Sequence, residues 1–248
     1  KPLEYGGSRG RDTATARGGF YILEEVLERS AIDPTEQRVA IQGFGNAGQY
    51  YARLAASDRN TVIAVSDSAG AIYRPGGLDV EALIAGKSSG RRLIDMAADQ
   101  GAHAIDAEEL LSVEADLLVP AALEDMITAD NAARIKAKVI LELANGPVTP
   151  GADKILNDHG VVVLPDILAN AGGVTVSYFE WVQNRQGFYW DLEEIHSRLL
   201  KIVEREGRAV WSIAKERGVS VRSAAYIHAL DRLATAIEAH GTQSFFAG

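Results

Sequence analysis

The sequence predicts an α/β fold in which a mostly parallel sheet is covered by helices on both faces. Two observations support this. Short apolar segments typical of buried strands alternate with helical segments between residues 38 and 165, whereas only helical segments follow Pro165. Strands that alternate with helices indicate parallel pairing through crossover connections. The 248 residues suffice for one large domain of this class or two small ones, and the hydrophobic content of 47% supports a sizeable core.

The first elements follow from apolar periodicity and turn signals. Apolar residues at helical spacing predict a helix over residues 13–30, and Asp33-Pro34 predicts a turn after it. A strand–helix–strand unit follows, and a turn-rich stretch then contains Arg74-Pro75-Gly76-Gly77. The expected elements of this part are a strand at 38–42, a helix at 49–55, a strand at 61–65 that ends at Asp67, the turn at 73–77, and a short helix at 78–84.

The later elements complete the sheet and close the chain with helices. A strand end is expected near 104–105, strands at 115–120, 138–142 and 161–165, and helices at 128–135, 149–159, 192–217 and 221–240. Asp191 with Glu194 predicts the start of the long helix, because both side chains can satisfy free N–H groups there. In the last helix, which Gly241 would end, an apolar stripe is interpreted as core rather than as a partner surface. It comprises Leu230, Leu233, Ala234 and Ile237.

Composition excludes several functions. The formal net charge is −9 and there is no basic run, which argues against a nucleic-acid partner. No apolar stretch reaches the length of a membrane span, and no signal peptide is recognised. Cysteine is absent and the five histidines are scattered, so neither a thiolate site nor a metal site is expected. These features fit a cytoplasmic protein.

The most informative motif is a glycine-rich turn, Gly43-Phe44-Gly45-Asn46-Ala47-Gly48. It lies between a predicted strand and a predicted helix, as in a dinucleotide-binding βαβ unit. Gly43 would permit the tight turn, Gly45 the approach of a pyrophosphate to the backbone, and Gly48 close packing of helix and strand. Asp67 lies 24 residues beyond Gly43 and could accept hydrogen bonds from the adenosine ribose. The alternative is a turn that merely connects two elements.

Three further segments make the pattern specific. They are residues 10–18 (GRDTATARG), 144–147 (ANGP) and 165–181 (PDILANAGGVTVSYFEW). Together with residues 41–46 (IQGFGN) they resemble the glutamate dehydrogenase family of amino-acid dehydrogenases, and specifically its second, cofactor-binding domain. The resemblance covers nearly the whole chain. It implies a Rossmann-like, dinucleotide-binding domain over residues 1–248, with an entry helix in 1–36 and C-terminal helices in 182–248.

The resemblance also implies cofactor contacts from strand ends and loops. The residues concerned are Thr15 at the nicotinamide carboxamide, Asn46 at the phosphates, Ser68 beside Asp67, Ala121 and Ala122 at the two riboses, and Asn145 and Asn170 at the nicotinamide ribose and carboxamide. Turn capping is the alternative role for both asparagines, and a helix-terminus hydrogen bond is the alternative for Thr15. Two residues depart from the family, which usually has Gly where this chain has Ala16 and Gly or another small residue where it has Leu143. Ala16 and Leu143 put affinity in doubt, and Leu143 would either narrow the nicotinamide end or pack inward, which we favour.

For the substrate, the resemblance implies contacts from Arg11, Val174 and Ser177, with Ser177 donating to a distal carboxylate. The implied reaction is NAD(P)-dependent oxidative deamination of an L-amino acid, usually glutamate. The family's first domain carries a catalytic lysine motif that we do not find here, since Lys87 is interpreted as a solvated loop residue. We therefore expect the cofactor half of a two-domain enzyme, inactive by itself, with substrate bound only when the missing domain is present.

Other interpretations remain open at this point. The chain could be a free-standing NAD(P)-binding module that regulates or pairs with a full-length relative, or a Rossmann-like domain whose site has decayed. Asp67 favours NAD over NADP because it would repel a 2′-phosphate, although Ser66 and Ser68 could bind that phosphate. Full-length members of the family are homo-oligomers that assemble through the missing domain. We therefore expect this chain to be monomeric or weakly dimeric.

Overall fold

A seven-stranded sheet forms the centre of the part of the chain that the structure describes. The computed structural model describes residues 1–30, 32 and 36–239. The strands lie in the order β4-β3-β2-β1-β5-β6-β7. Their bounds are β1 Arg38–Gln42, β2 Thr61–Asp67, β3 Gly70–Tyr73, β4 His103–Ile105, β5 Leu117–Pro120, β6 Val139–Leu141 and β7 Val162–Leu164.

The sheet is parallel except at one end. β1 pairs in parallel with β2 on one side and with β5 on the other, and β6 and β7 continue the parallel order. β3 runs antiparallel to β2, and β4 antiparallel to β3. The prediction of a mostly parallel sheet is confirmed.

Helices cover both faces. Their bounds are α1 Ala14–Arg29, α2 Asn46–Ser57, α3 Val80–Ser88, α4 Pro150–Asp158, α5 Asp166–Ala169, α6 Gly172–Gln186, α7 Leu192–Arg217 and α8 Val221–Ala239. Alternate residues of β1 point to opposite faces of the sheet. Val39 and Ile41 join the core under α1, α2 and α7, whereas Ala40 joins the core under α4. Among the residues that the structure describes, no helix is long and apolar enough to cross a membrane.

Most predicted elements are present, but three are missing from the prediction and one is wrong. The strand β3 and the helices α5 and α6 were not predicted. The helix expected at 128–135 is only a short 3-10 turn at Ala132–Arg134. The side chain of Asn131 explains this, because its Oδ1 accepts a hydrogen bond from Thr128 N and its Nδ2 donates to Met126 O. Such local bonds compete with helix formation.

The interpretation of the stripe on α8 as core is wrong for this chain. Leu230, Leu233 and Ile237 are 61%, 59% and 52% exposed. Near the start of α8, Val221, Ala224 and Ala225 are buried, and further along His228 and Arg232 pair with Glu206 of α7. Contact with α7 therefore continues along α8, but the described part of the chain leaves the stripe largely exposed. The expected end of this helix at Gly241 and the turn at Asp33-Pro34 lie outside the described residues.

Candidate functional site

The glycine-rich turn follows β1, at the switch point where the strand order of the sheet reverses. The chain passes from β1 to β2 on one side and later crosses to β5 on the other side of β1. In such sheets this point leaves a crevice beyond the carboxyl ends of the strands, where ligands bind. Gly43 has a φ of +99°, and a Cβ there would lie 2.8 Å from Ala122 Cα and from the carbonyl carbon of Ala121. The structure therefore brings Gly43 together with Ala121 and Ala122.

The other two glycines of the turn have opposite surroundings. Gly45 precedes the first residue of α2, and no side chain caps that helix end. A Cβ on Gly45 would meet nothing within 4 Å, whereas a Cβ on Gly48 would lie 2.0 Å from the carbonyl oxygen of Gly43. Gly48 is thus required for packing, and Gly45 leaves open space above the N–H groups of α2. This cradle fits a phosphate, because a helix N-terminus offers N–H donors and partial positive charge.

The remaining residues of the turn have different roles. The ring of Phe44 is 2% exposed, so it belongs to the core. Ala47 follows in the first turn of α2 and is partly exposed. Asn46 is exposed, and its Nδ2 donates to Asp12 O at 2.8 Å. Tyr50 Oη donates to Asp12 Oδ2 at 3.0 Å, so Asp12, which sequence reasoning missed, ties the N-terminal segment to α2.

Asp67 lies at the end of β2 but is not a solitary acid. Its Oδ2 accepts from Lys87 Nζ at 2.6 Å, and its Oδ1 accepts from Ala69 N at 2.9 Å. Burial opposes ionisation of Asp67, but these hydrogen bonds outweigh it and hold the pKa of the carboxyl below its usual value. The interpretation of Lys87 as a solvated loop residue is wrong, because Lys87 lies in the last turn of α3 and its side chain is 26% exposed. Ser68 is exposed beside this pair.

The two predicted asparagines meet across the sheet end. Asn170 follows α5, and its Nδ2 donates to Asn145 Oδ1 at 2.7 Å. Asn145 lies in the loop after β6, before Gly146, whose φ is +54°. The structure thus brings the two amides together, although they are 25 residues apart in the chain. Leu143 is 4% exposed and packs against α1 near Gly19, so the inward-packing interpretation of this residue is confirmed.

Helices α1 and α6 cross at backbone distance. A Cβ on Gly18 would lie 2.7 Å from Gly172 Cα, and a Cβ on Gly172 would lie 2.2 Å from Ala14 O. Just beyond this crossing, a Cβ on Gly173 would lie 2.6 Å from Thr15 Oγ1 and 3.9 Å from an Arg11 Nη1 atom. The crossing therefore places Thr15 and Arg11 beside the first turn of α6.

A cleft of about 860 Å³ lies in front of this crossing. Its lining includes Arg11, Thr15 and Asn46, together with Arg17 and His196. Burial and the nearby charge of Arg17 lower the pKa of His196, so its ring is neutral at pH 7. The lining of this cleft includes residues of the N-terminal segment and the start of α2, but not Asn145 or Asn170.

The two further substrate candidates lie along α6. Val174 is 69% exposed, so nothing in the described chain covers it. Ser177 Oγ donates to Gly173 O at 3.1 Å, one turn earlier in the same helix. The predicted donation from Ser177 to a carboxylate would therefore need this intrahelical bond to be given up or shared.

Behind the asparagine loop lies a cluster of charges that sequence reasoning missed. Glu142 at the end of β6 is fully buried, and Arg222 of α8 donates to both of its carboxylate oxygens. Arg222 also donates to Asp153 of α4 at 2.8 Å and lies 3.8 Å from Asp166 of α5. Burial raises the pKa of Glu142 despite these hydrogen bonds. The only sequence signal for the cluster is an acid inside a run of apolar residues.

The fold and these residues define the class of protein. It is an α/β protein of the Rossmann-like, dinucleotide-binding class, with a glycine turn at the switch point and polar side chains grouped around it. Residues 6–241 match the model of the Glutamate/Leucine/Phenylalanine/Valine dehydrogenase family. The chain belongs to this family, and its resemblance to the cofactor-binding part is confirmed.

Individual relatives agree with this assignment. The chain is 48% identical to the NADP-specific glutamate dehydrogenase of Synechocystis sp., covering 99% of this chain and 59% of the relative. It is 44% identical to the catabolic NAD-specific glutamate dehydrogenase RocG of Bacillus subtilis, covering 97% of this chain and 56% of the relative. The crystal structure of the hetero-hexameric glutamate dehydrogenase from Thermus thermophilus, in its leucine-bound form, superposes with a TM-score of 0.86 at 36% identity and covers 94% of this chain and 54% of that one. The chain thus spans little more than half the length of these relatives.

Proposed function

We propose that this chain is the NAD(P)-binding part of a glutamate dehydrogenase. The observation that carries the proposal is the open cradle at Gly45, above the uncapped N-terminus of α2 and beside Ala121 and Ala122. A pyrophosphate would accept hydrogen bonds from the N–H groups of Asn46 and Ala47 there. Gly43 and Gly48 support the proposal because each keeps the turn close to its neighbouring strand or helix.

The other contacts follow from the strand ends. Asp67 and Ser68 would hold the adenosine ribose, and the paired amides of Asn145 and Asn170 would orient the nicotinamide end. Thr15 would reach the carboxamide from the other side, since it lies at the α1–α6 crossing. The bound dinucleotide would supply the hydride acceptor for oxidation of an amino acid. The part played by this chain is to fix the position of the cofactor and to keep its reactive face toward the cleft.

The cofactor choice depends on the Asp67–Lys87 pair. An acid alone at the end of β2 favours NAD, because it repels a 2′-phosphate. Here the neighbouring ammonium of Lys87 neutralises that acid and offers a cation to such a phosphate. We therefore propose that the chain binds both NAD and NADP, with NAD still favoured. NAD-specific and NADP-specific relatives are both similar to this chain, which supports the dual assignment.

Turnover would require the part of the relatives that has no counterpart in these 248 residues. We propose that Arg11, Val174 and Ser177 face an L-glutamate bound between this chain and that part. The residues that polarise the substrate and move its protons would belong to that part, so the 248-residue chain would bind cofactor without oxidising glutamate. Assembly of the whole enzyme into an oligomer is part of the same proposal, since the Thermus thermophilus relative is described as hetero-hexameric.

Two measurements on the 248-residue chain test this proposal. Titration with NADH and with NADPH, followed by nicotinamide fluorescence, is expected to show saturable binding of both. An assay of glutamate-dependent reduction of NAD⁺ and NADP⁺ is expected to show no turnover. Absence of binding by a folded chain would refute the cofactor assignment. Turnover by this chain alone would instead refute the proposal that oxidation of glutamate requires the other part of the enzyme.

A further inference from the structure

Arg222 joins four elements through its guanidinium group. It reaches from the first turn of α8 to Glu142 after β6, to Asp153 in α4 and to Asp166 at the start of α5. The Arg222 side chain is 18% exposed and that of Glu142 is fully buried. One cation therefore balances three carboxylates in a site with little access to water.

The same carboxylates hold the asparagine loop. Glu142 Oε2 accepts from Asp166 N at 2.8 Å, and Asp166 Oδ2 accepts from Gly146 N at 2.8 Å. Gly146 follows Asn145 directly, and Asn170 N donates to Asp166 O at 3.0 Å. The backbones of both asparagines are thus fixed to Asp166, and Asp166 is fixed to the Glu142–Arg222 pair.

The charge balance makes this arrangement depend on Arg222. Without a cation, Glu142 and Asp166 would face each other as like charges at low solvent exposure, which disfavours their present separation. Movement of Asp166 would release Gly146 N and change the relative position of Asn145 and Asn170. The glycine turn at Gly43–Gly48 is held by other contacts and would keep its form.

We propose that Arg222 is a positioning residue for the nicotinamide end of the dinucleotide site. This inference rests on the proposed function, because it assigns the nicotinamide end to Asn145 and Asn170. Arg222 itself would contact no part of the cofactor. It acts through Asp166 and Glu142, and it distinguishes the two ends of the cofactor: the nicotinamide end depends on it, and the adenosine end does not.

The test compares two ligands on the 248-residue chain. NADH spans the whole site, whereas ADP carries the adenosine and the pyrophosphate without the second ribose or the nicotinamide. Arg222→Met is expected to weaken NADH binding by about tenfold, as for one displaced hydrogen-bonding group, and to leave ADP binding unchanged. Arg222→Lys keeps the positive charge but lacks the planar guanidinium that donates to both Glu142 oxygens. It is therefore expected to bind NADH more tightly than Arg222→Met and more weakly than the unchanged chain.

Controls separate positioning from folding. Arg232→Met removes a second arginine of α8 that pairs with a carboxylate, Glu206, and is expected to leave both ligands unaffected. The double variant Glu142→Gln with Arg222→Met removes the buried carboxylate charge that would repel Asp166 in the single variant, so it is expected to fold. It also removes the Arg222–Asp166 ion pair and the carboxylate that accepts from Asp166 N, so it is expected to lose NADH affinity by less than Arg222→Met does and to keep ADP affinity. Equal loss of NADH and ADP, or no loss of either, in a folded variant would overturn the inference. Failure of the unchanged chain to bind NADH would instead refute the proposed function.

Discussion

The opposite surroundings of Gly45 and Gly48 lead to a sharp prediction. At Gly45 the φ is −84° and an added methyl group would meet no protein atom within 4 Å. We expect Gly45→Ala to change the free energy of unfolding by no more than about 0.5 kcal/mol. A phosphate above α2 would, however, meet that methyl group and lose one or two charge-assisted hydrogen bonds. The expected loss is about 2–4 kcal/mol, or about 30- to 1,000-fold in Kd for NADH.

Gly48→Ala is the contrasting variant. Its methyl group would lie 2.0 Å from Gly43 O, so α2 must move away from the turn by more than about 1 Å to restore an ordinary contact. Overpacking of this kind destabilises a fold by about 1–3 kcal/mol. We expect Gly48→Ala to lose stability and NADH affinity together, whereas Gly45→Ala loses affinity alone.

Urea unfolding followed by circular dichroism gives the stability, and NADH fluorescence titration gives the Kd. Gly76→Ala is the matched control, because a Cβ at Gly76 also meets nothing within 4 Å and the residue lies outside the glycine-rich turn at Gly43–Gly48. It is expected to resemble the unchanged chain in both measurements. Wild-type NADH affinity in Gly45→Ala would refute the assignment of the cradle to phosphate, and a stability loss equal to that of Gly48→Ala would refute the geometry.

Four more outcomes follow from individual side chains. Asp67→Ala is expected to shift preference toward NADPH, and unchanged affinities for NADH and NADPH would contradict its placement at the ribose. Lys87→Met is expected to weaken NADPH about tenfold relative to NADH in the same titrations, and an equal effect on both would count against the Lys87–phosphate contact. Burial and nearby acids raise the pKa of Glu24 to about 6, so the folded state binds a proton that the unfolded state releases, and stability falls as the pH rises from 4.5 to 6. In urea titrations, Glu24→Gln should therefore raise the free energy of unfolding by about 1 kcal/mol at pH 7, after allowance for solvent screening, and leave it unchanged at pH 4. Asp191 caps α7 by accepting a hydrogen bond from Glu194 N, so Asp191→Ala should lower the free energy of unfolding by about 1 kcal/mol. An unchanged free energy of unfolding would contradict this role of Asp191.

Local patterns predicted much of this fold. The turn at Gly43–Gly48 is specified by nearby residues alone, and so are β1, β2 and the bounds of α7 at Asp191 and Gly218. The helix α6 was missed because its apolar residues are not confined to one face: Val176 and Phe179 are buried while Val174, Tyr178 and Trp181 are exposed. Periodicity detects a helix only when its apolar residues share one face.

The site could be predicted as residues but not as contacts. Motifs identified Asp67, Asn145 and Asn170, but not the Asp67–Lys87 and Asn145–Asn170 contacts, which join residues 20 and 25 positions apart in the chain. Arg222 is 80 residues from Glu142, and nothing local distinguishes it from a solvated arginine at a helix start. Pairings of this kind depend on which strand ends meet, and that information exists only once the sheet order is known.

The backbone crossing of α1 and α6 restricts how this protein can vary. Each of Gly18 and Gly172 lacks a Cβ because the other helix's backbone occupies that space. A larger side chain at one position therefore cannot be compensated by a smaller one at the other, since glycine is already the smallest residue. In a library that randomises both positions and is selected for folding alone, we expect the glycine pair to survive as a unit. Thr15 and the first turn of α6 would keep their spacing even where selection for the ligand is absent.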